Sequence, residues 1–342
     1  MYLYRHIARK GEVMKLGTSY FGNRIIRHVK EDMKYLKDRH FTYVVHTFSE
    51  NDFHFYSATM KEIVKITKDI GLETQIDPWG VGKVFGGEAF SEFISTHPEV
   101  CEILSDGKPA GIACPNHSEF RRFMHKWIDA AVSTGAEYLF WDEPHFYLSG
   151  WMGGRPDTWG CRCKFCRQKF EDRYNHPMPL NETDEVKAFK HHSIVDFLQE
   201  MISHGHQAGA KNALCSLPGS AQNEEWMMDL ASLENLDNFG TDPYWYGAKK
   251  DVAEYVGDFA RKVVKVCLQM KREGHIWIQG FKVPAGREEE ISTAVNLAVK
   301  AGIRNLAVWG FDACSFISSI APDNPQKTWE IICRAFSSVK DL

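Results

Sequence analysis

The segment "EYLFWDEPHF", residues 137–146, is an apolar run that ends in two adjacent acids and a proline. Residues 138–141 are typical of a buried strand. Asp142 and Glu143 follow them directly, although a carboxylate is costly to bury without a partner. The role of these two acids therefore depends on what the rest of the chain builds around them.

The same pattern of a short apolar run ending in Gly, Pro, Asp or Ser occurs eight times, and amphipathic helices lie between the runs. Repeated strand-then-helix order predicts parallel strands with right-handed crossovers, and eight units close into an α/β fold, the (β/α)8 TIM barrel. An open doubly wound sheet is the alternative, but neither GxGxxG nor GxxxxGK[ST] follows a predicted strand. The eight predicted strands are residues 14–22, 41–50, 72–80, 137–146, 212–220, 238–246, 275–283 and 305–313.

Two long stretches interrupt the regular spacing of the predicted units. Residues 81–118 follow the third strand and residues 147–185 follow the fourth. Because both stretches follow strand ends, we expect them to cover the catalytic face of one barrel domain that spans residues 1–342.

Composition excludes several classes of protein. A hydrophobic fraction of 44% predicts a sizeable core, and a net charge of −4 gives no broad basic surface for nucleic acid. The uncharged apolar stretches are shorter than the ~20 residues that a membrane helix needs. The first residues lack the apolar part of a signal peptide, and the nine cysteines are odd in number and mostly scattered. These features predict a cytoplasmic protein.

Acidic and aromatic residues are concentrated at the predicted strand ends, where barrel enzymes have their active sites. Carboxylates there can accept hydrogen bonds from sugar hydroxyls, and aromatic rings can stack on apolar sugar faces; core packing is an equal alternative for each residue alone. Besides Asp142 and Glu143, the candidates are Asp242 for catalysis, and Tyr20, Asp77, Trp79, Tyr244, Gln279, Trp309 and Asp312 for substrate binding.

Three cysteines are clustered as C-x-C-x2-C in the second insertion, and a fourth lies in "ACPNHSEFRR" (113–122) of the first. Four thiolates would make a closed tetrahedral zinc site that ties the two insertions together. His117 and His145 are alternatives to the fourth cysteine, and reduced cysteines without a metal are the simpler interpretation. The predicted ligands are Cys114, Cys161, Cys163 and Cys166.

Residues 112–170 resemble the zinc-cluster region of the family 42 glycoside hydrolases, the thermophile-type β-galactosidases. The likeness lies in "CPNHSEFRR", the strand that ends in an acid, and "CRCKFC" followed by Phe170. In that family the acid/base Glu follows an Asn at the end of the fourth strand, which implies this role for Glu143, with Asp142 in place of the Asn. The family's nucleophile Glu corresponds to Gln279, so the resemblance does not imply β-galactosidase activity. Barrels of this clan are often oligomeric, which leaves a homo-oligomer open.

Glycoside hydrolysis requires two carboxyl groups beside the scissile bond. We expect a retaining glycosidase in which Glu143 is the general acid/base and Asp242 is the second carboxylate. A second resemblance, to clan D α-galactosidases, implies the mirror assignment, in which Asp142 attacks and Asp242 donates the proton. Because strand side chains alternate, only one of Asp142 and Glu143 can face the pocket unless the chain bends.

Two other functions are compatible with the sequence. A metal-dependent TIM-barrel isomerase or hydrolase would use histidines and acids, but strand-end histidines are few. A non-catalytic carbohydrate-binding barrel is suggested by Gln279 in place of an acid. The histidines at 191, 192, 204 and 206 lie in a predicted helix and its end, away from strand ends, which disfavours a metal site there.

Overall fold

The computed structural model describes residues 13–150 and 154–342, and in these ranges eight parallel strands close into a barrel. This confirms the predicted (β/α)8 TIM barrel. Around the barrel the order is β1-β10-β9-β8-β7-β6-β3-β2. The barrel strands are β1 (Lys15–Tyr20), β2 (Tyr43–Thr47), β3 (Glu73–Asp77), β6 (Tyr138–Asp142), β7 (Lys211–Ser216), β8 (Asn238–Thr241), β9 (Glu273–Gln279) and β10 (Asn305–Trp309).

The remaining two strands, β4 (Cys101–Ile103) and β5 (Pro109–Ala113), form a separate antiparallel pair that the sequence reasoning did not anticipate. This hairpin lies in the predicted insertion 81–118. Residues 1–12 of the predicted domain, and residues 151–153 of the insertion 147–185, lie outside the described residues.

Helices surround the barrel and bury one apolar face each. In α1, for example, Val29, Met33 and Leu36 recur at helical spacing and are buried. None of the helices in the described ranges is both long and apolar enough to cross a membrane. The helices are α1 (Ile26–Asp38), α2 (Glu50–Phe55), α3 (Ser57–Asp69), α4 (Glu92–Thr96), α5 (Ser118–Val132), α6 (Lys164–Tyr174), α7 (Asp184–Gln207), α8 (Glu224–Ala231), α9 (Trp245–Ala248), α10 (Val252–Met270), α11 (Glu290–Ala301) and α12 (Pro325–Val339).

The period of two along each strand separates the core into two layers. In β6, Leu139 and Trp141 belong to the layer between strands and helices, whereas Tyr138 and Phe140 fill the barrel interior. Asp142 continues the interior series. The last residue of β6, Asp142, therefore points into the barrel interior.

The segment between β3 and α5 is anchored to the barrel by one buried carboxylate. Glu50, at the start of α2, accepts hydrogen bonds from Gly82 N (2.8 Å), Ser91 Oγ (2.6 Å) and Phe93 N (2.6 Å). Three donors on one carboxylate compensate for its burial. This segment carries α4 and the β4–β5 hairpin, so Glu50 fixes where the hairpin begins.

The segment between β6 and α7 packs on that hairpin. Ser105 N donates to Trp159 O (2.8 Å), and Arg162 N donates to Ile103 O (2.6 Å). Because main-chain bonds join the two segments, they form one covering layer instead of two independent loops.

The close approach of β8 to β9 provides a test of barrel packing. A Cβ added at Gly240 would lie 2.2 Å from His275 O and 2.4 Å from its ring. Gly240→Ala should therefore lower the free energy of unfolding by about 1–3 kcal/mol, measured by urea denaturation. Gly219→Ala, where nothing lies within 4 Å of the added Cβ, should change it by less than about 0.5 kcal/mol. Equal effects of the two substitutions would contradict this packing.

Candidate active site

Four acids from three strand ends converge at the mouth of the barrel. Asp77 ends β3, Asp142 and Glu143 end β6, and Asp242 follows β8. The carboxyl groups of Glu143 and Asp242 lie within hydrogen-bonding reach of each other, and the charge of Glu143 raises the pKa of Asp77. Barrel closure thus brings together the three predicted catalytic acids and one predicted binding acid.

A bend at Glu143 allows both neighbouring acids of β6 to face the mouth. Its φ is +43°, in the left-handed region that non-glycine residues rarely adopt, and its N–H donates to Cys215 O (2.9 Å). In a regular strand Glu143 would point towards the helices. The bend is the exception to side-chain alternation that allows Asp142 and Glu143 to face the mouth together.

A glycine lets the covering segment approach these acids. A Cβ added at Gly86 would lie 2.6 Å from Asp142 Oδ2 and 2.9 Å from Glu143 Oε2, and Gly86 N donates to Asp142 O (3.0 Å). Only a residue without a side chain fits here. The two carboxylates therefore reach the same space beside the Gly86 backbone.

Glu88, in the same segment, is a fifth acid that the sequence reasoning missed. Trp79 Nε1 donates to Glu88 Oε2 (3.2 Å), and the charge of Glu88 raises the pKa of both Asp77 and Asp142. Its loop is held by Lys83, whose ammonium donates to Gly87 O and Ala89 O. Glu88 does not end a strand, so the rule that located the other acids could not locate it.

Burial is the main cause of the raised pKa values of the acids at the mouth. Asp77 is 0% exposed and Asp242 is 2% exposed, and burial, followed by the neighbouring carboxylates, raises the pKa of each well above its ordinary range. Burial likewise raises the pKa of Asp142 and Glu143, which keep some solvent exposure. Carboxyl groups in this state can hold a proton near neutral pH and donate it.

Cys215 is a second group that the sequence reasoning missed. It lies on the interior face of β7, within hydrogen-bonding reach of the Asp242 carboxyl, and burial raises its pKa. Its thiol is therefore neutral and can donate to the carboxylate. Side chains of β7 alternate between the barrel interior and the helices, and Cys215 is on the interior side. Assigning this alternation from the sequence would have identified Cys215.

Aromatic rings line the interior beside the acids. The ring of Phe21 stacks on Trp309 (5.1 Å between centroids) and packs against Trp79 (5.4 Å). Tyr244 contacts Phe281 edge-on at 4.9 Å, and the charge of Asp242 raises the pKa of Tyr244 after the effect of burial. Trp79, Trp309 and Tyr244 were candidates from the sequence, and Phe21 was not.

Three other candidates from the sequence have polar groups that are bound to other residues and not to this cluster. Tyr20 points towards the helices, and its hydroxyl donates to Asp32 Oδ2 (2.6 Å) because its strand phase is opposite to that of Phe21. Asp312 accepts from Ser315 Oγ (2.6 Å). Gln279 is on the interior face, but its amide is bound to two backbone groups, Tyr246 N and Phe281 O.

The four predicted cysteine ligands come together where the two covering segments meet. All four are buried, and their sulfur atoms lie within 4.8 Å of one another. Cys114 Sγ is 3.4 Å from Cys166 Sγ and 3.7 Å from Cys163 Sγ. Contacts from the other three thiols lower the pKa of Cys163. Such a buried set of four sulfurs could hold a metal ion such as zinc.

The alternative histidine ligands have other contacts. His117 caps α5 by accepting from Glu119 N, and His145 Nδ1 contacts Glu143 O. A second set of close ligand atoms, from His191, His192 and Asp229, lies among the helices. His191 Nε2 is 2.9 Å from Asp229 Oδ2, an ordinary histidine–carboxylate contact.

A cavity of about 290 Å³ is lined by residues of the β4–β5 hairpin and of the segment after β6. Lys83 and His145 belong to its lining, together with Tyr147 and Arg155. Among the described residues that line it, none is one of the five acids, so this cavity is distinct from the acid cluster.

The fold and this arrangement define a TIM barrel with a cluster of buried acids at the carboxyl ends of its strands. No protein-family model and no curated protein matches the sequence. Among solved structures, the chain is similar to the catalytic domain of β-amylase from Paenibacillus polymyxa, with a TM-score of 0.66 and 10% identity, covering 95% of this chain and 99% of that one.

Two further solved glycoside hydrolases have the same fold. The β-galactosidase from Bacillus circulans sp. alkalophilus gives a TM-score of 0.66 at 10% identity, covering 97% of this chain and 56% of that one. The endo-β-1,4-mannanase from Thermotoga petrophila gives 0.56 at 10% identity, covering 97% and 78%. At this identity the similarity shows the fold.

The raised pKa of Asp77 predicts a pH-dependent stability. Since its pKa is higher in the folded than in the unfolded state, the folded state binds more protons above about pH 4, and this contribution is lost as pH rises. Asp77→Asn should therefore gain free energy of unfolding relative to the unmodified protein between about pH 5 and pH 8. Urea denaturation at several pH values measures this difference.

The measured quantity is the difference in free energy of unfolding between Asp77→Asn and the unmodified protein. Buried histidines lower the stability of both proteins as pH falls below about 6.5, and the difference removes this effect. Burial lowers the pKa of His46, His145 and His275. Asp38→Asn, at an exposed acid of α1, is the matched control and should show no such trend. A pH-independent difference for Asp77→Asn would contradict the raised pKa.

Proposed function

We propose that the protein is a glycoside hydrolase that uses Glu143 and Asp242 as its two carboxyl groups. The observation that carries this proposal is their convergence from β6 and the end of β8 to hydrogen-bonding reach, in surroundings that raise the pKa of both. One carboxyl in such a pair can hold a proton while the other is ionised. Hydrolysis of a glycosidic bond needs one group in each state.

The two groups differ in exposure, which suggests their roles. Glu143 keeps some contact with solvent, whereas Asp242 is almost fully buried. Glu143 is therefore the general acid/base that protonates the leaving oxygen, and Asp242 is the second carboxylate. Retaining enzymes place their carboxyls about 5–5.5 Å apart and inverting enzymes about 6.5–9.5 Å apart, so the close approach of Glu143 and Asp242 is nearer to the retaining geometry. In the mirror assignment Asp142 attacks the sugar and Asp242 donates the proton.

The aromatic side of the mouth supports a carbohydrate substrate. Trp79, Phe21 and Trp309 form a continuous series of rings on which an apolar sugar face can stack. Metal-dependent isomerisation has less support, because in the described ranges these acids are not among the sets of three or more ligands within 4.8 Å.

We also propose that the four cysteines hold a structural zinc ion, as the family 42 likeness implies. A tetrahedral zinc with Zn–S bonds of about 2.3 Å has S–S edges of about 3.8 Å, close to the separations of 3.4 and 3.7 Å seen here. Asn116 Nδ2 donates to Cys166 Sγ (3.3 Å), the kind of support that metal thiolates receive from their surroundings. The ion would supply structural stability and no step of the reaction.

The cysteines also support a cellular location for the protein. None of the nine is paired in a disulfide, which supports a reducing, cytoplasmic location. We propose that residues 1–342 act as one barrel domain whose partner is a carbohydrate substrate.

Glu143→Gln tests the catalytic assignment. Removal of the general acid should lower kcat by at least ~100-fold on glycosides with poor leaving groups, with a smaller loss on activated nitrophenyl glycosides. Rates on a panel of both classes measure this difference. Glu102→Gln is the control, since Glu102 is also a buried carboxyl whose pKa is raised, to about 8, yet it contacts Tyr147 N and not the acid cluster. An unchanged rate for Glu143→Gln would remove it from the mechanism.

Metal analysis tests the cysteine site. The purified protein should carry about one zinc per chain. Cys163→Ser should reduce the zinc content and lower Tm by about 5 °C or more, because the ion ties two long segments together. Cys333→Ser, a cysteine on α12 outside the cluster, should leave the zinc content unchanged. Protein that neither contains zinc nor takes it up on addition would contradict the proposal.

A further inference from the structure

The mouth of the barrel contains more carboxyl groups than glycoside hydrolysis requires. The reaction uses two carboxyls, and five converge here. The charge of Glu143 acts on Asp77, Asp142 and Asp242, and the charge of Glu88 acts on Asp77, Asp142 and Glu143. Three carboxyls are therefore left without a role in the proposed chemistry.

The described residues supply little positive charge to balance them. The nearest cation is Lys83, on which the charge of Glu88 acts, and its ammonium is already bound to the carbonyl oxygens of Gly87 and Ala89. Burial lowers the pKa of His145 to about 4, so this ring is neutral. Cys215 and Tyr244, which also face the acids, are neutral because burial raises the pKa of each.

A second observation points to a ligand in this space. Both carboxyl oxygens of Asp77 are buried without a hydrogen-bond partner among the described residues, and the same holds for Asp242 Oδ1. Asp77 is 0% exposed and lies on the interior phase of β3, so its oxygens face the mouth. Buried acceptors of this kind are normally satisfied. A bound molecule that brings hydrogen-bond donors would satisfy them.

The spacing of the acids favours an organic cation over a metal ion. In the described ranges their oxygens do not form a set of three or more within 4.8 Å, as the ligands of one ion would. An ammonium group does not require three or more ligand atoms at once, because two carboxylates can each accept one of its N–H donors. The rings of Trp79 and Phe21 beside the acids add the aromatic surface that attracts an ammonium group.

We propose that the substrate is a glycoside of an amino sugar with a free ammonium group, which Asp77 and Glu88 bind at the mouth. This inference rests on the proposed glycosidase function and names its substrate class. The sugar ring packs on the aromatic side while its ammonium donates to the acids. A neutral sugar, or one whose nitrogen is acetylated, offers the acids hydroxyl or amide donors but no positive charge.

The test compares matched nitrophenyl glycosides of glucosamine, glucose and N-acetylglucosamine, in both anomeric forms, with the same three forms in the galacto series. Since a hydrogen bond to a charged group contributes about 1.5–3 kcal/mol, kcat/KM on the amino glycoside should exceed that on its neutral partners by about 10- to 100-fold. Calorimetric binding of free glucosamine and glucose gives the same comparison without turnover.

Two variants assign the preference to named groups. Asp77→Asn and Glu88→Gln should each reduce the preference for the amino glycoside over its neutral partner by about tenfold, mainly through KM. Glu92→Gln, at an exposed acid on α4 outside the cluster, is the matched control and should keep the full preference.

The outcomes separate this inference from the proposed function. Equal rates on charged and neutral glycosides would overturn the inference and leave the glycosidase intact. Absence of turnover on every glycoside, with Asp77-dependent binding of glucosamine over glucose, would overturn the glycosidase and support the ammonium site. Binding of Mg²⁺ or Ca²⁺ that requires Asp77, without any preference for glucosamine, would overturn the inference in favour of a metal ion.

Discussion

The acid cluster depends on a short stretch of main-chain pairing between the segment after β3 and the end of β6. Gly86 N donates to Asp142 O, and His145 N donates to Val84 O. These two bonds hold the covering backbone against the carboxyls, which limits their contact with water. Because burial is the largest cause of the raised pKa of Asp142 and Glu143, the acid chemistry proposed for the mouth follows from this contact. Without it, strand-end acids would have ordinary acidity.

The bend at Glu143 determines how many acids can act together. A regular strand would give the mouth Asp142 and turn its neighbour towards the helices. The positive φ of Glu143 and its bond to Cys215 O reverse this alternation at one residue. An uncommon backbone conformation therefore brings two neighbouring carboxyls to the mouth side by side.

The cysteine cluster and the acid cluster belong to the same covering layer. Cys114 follows β5, while Cys163 begins α6 in the segment after β6. The proposed zinc ion would join these segments to each other at the cysteines. Main-chain hydrogen bonds join them to the barrel near the strand ends. A metal far from the reacting atoms would in this way help to hold the acids in their desolvated state.

The sequence by itself determined the barrel, the approximate position of each strand, and the convergence of Asp142 and Asp242 at one mouth. These features follow from local periodicity and from the geometric rule that parallel strand ends share one edge. The cysteine spacing was also a local signal, although the joining of Cys114 to the C-x-C-x2-C segment required the two insertions to meet in space.

Only the tertiary structure decided which strand-end side chains reach the mouth. Tyr20 and Phe21 are neighbours, yet one bonds to Asp32 on a helix and the other lines the interior. A shift of one residue reverses the face of a strand, and closure of the whole barrel sets that phase. Glu88 enters from a covering loop whose path is set by long-range contacts, for which a single sequence carries no periodic signal.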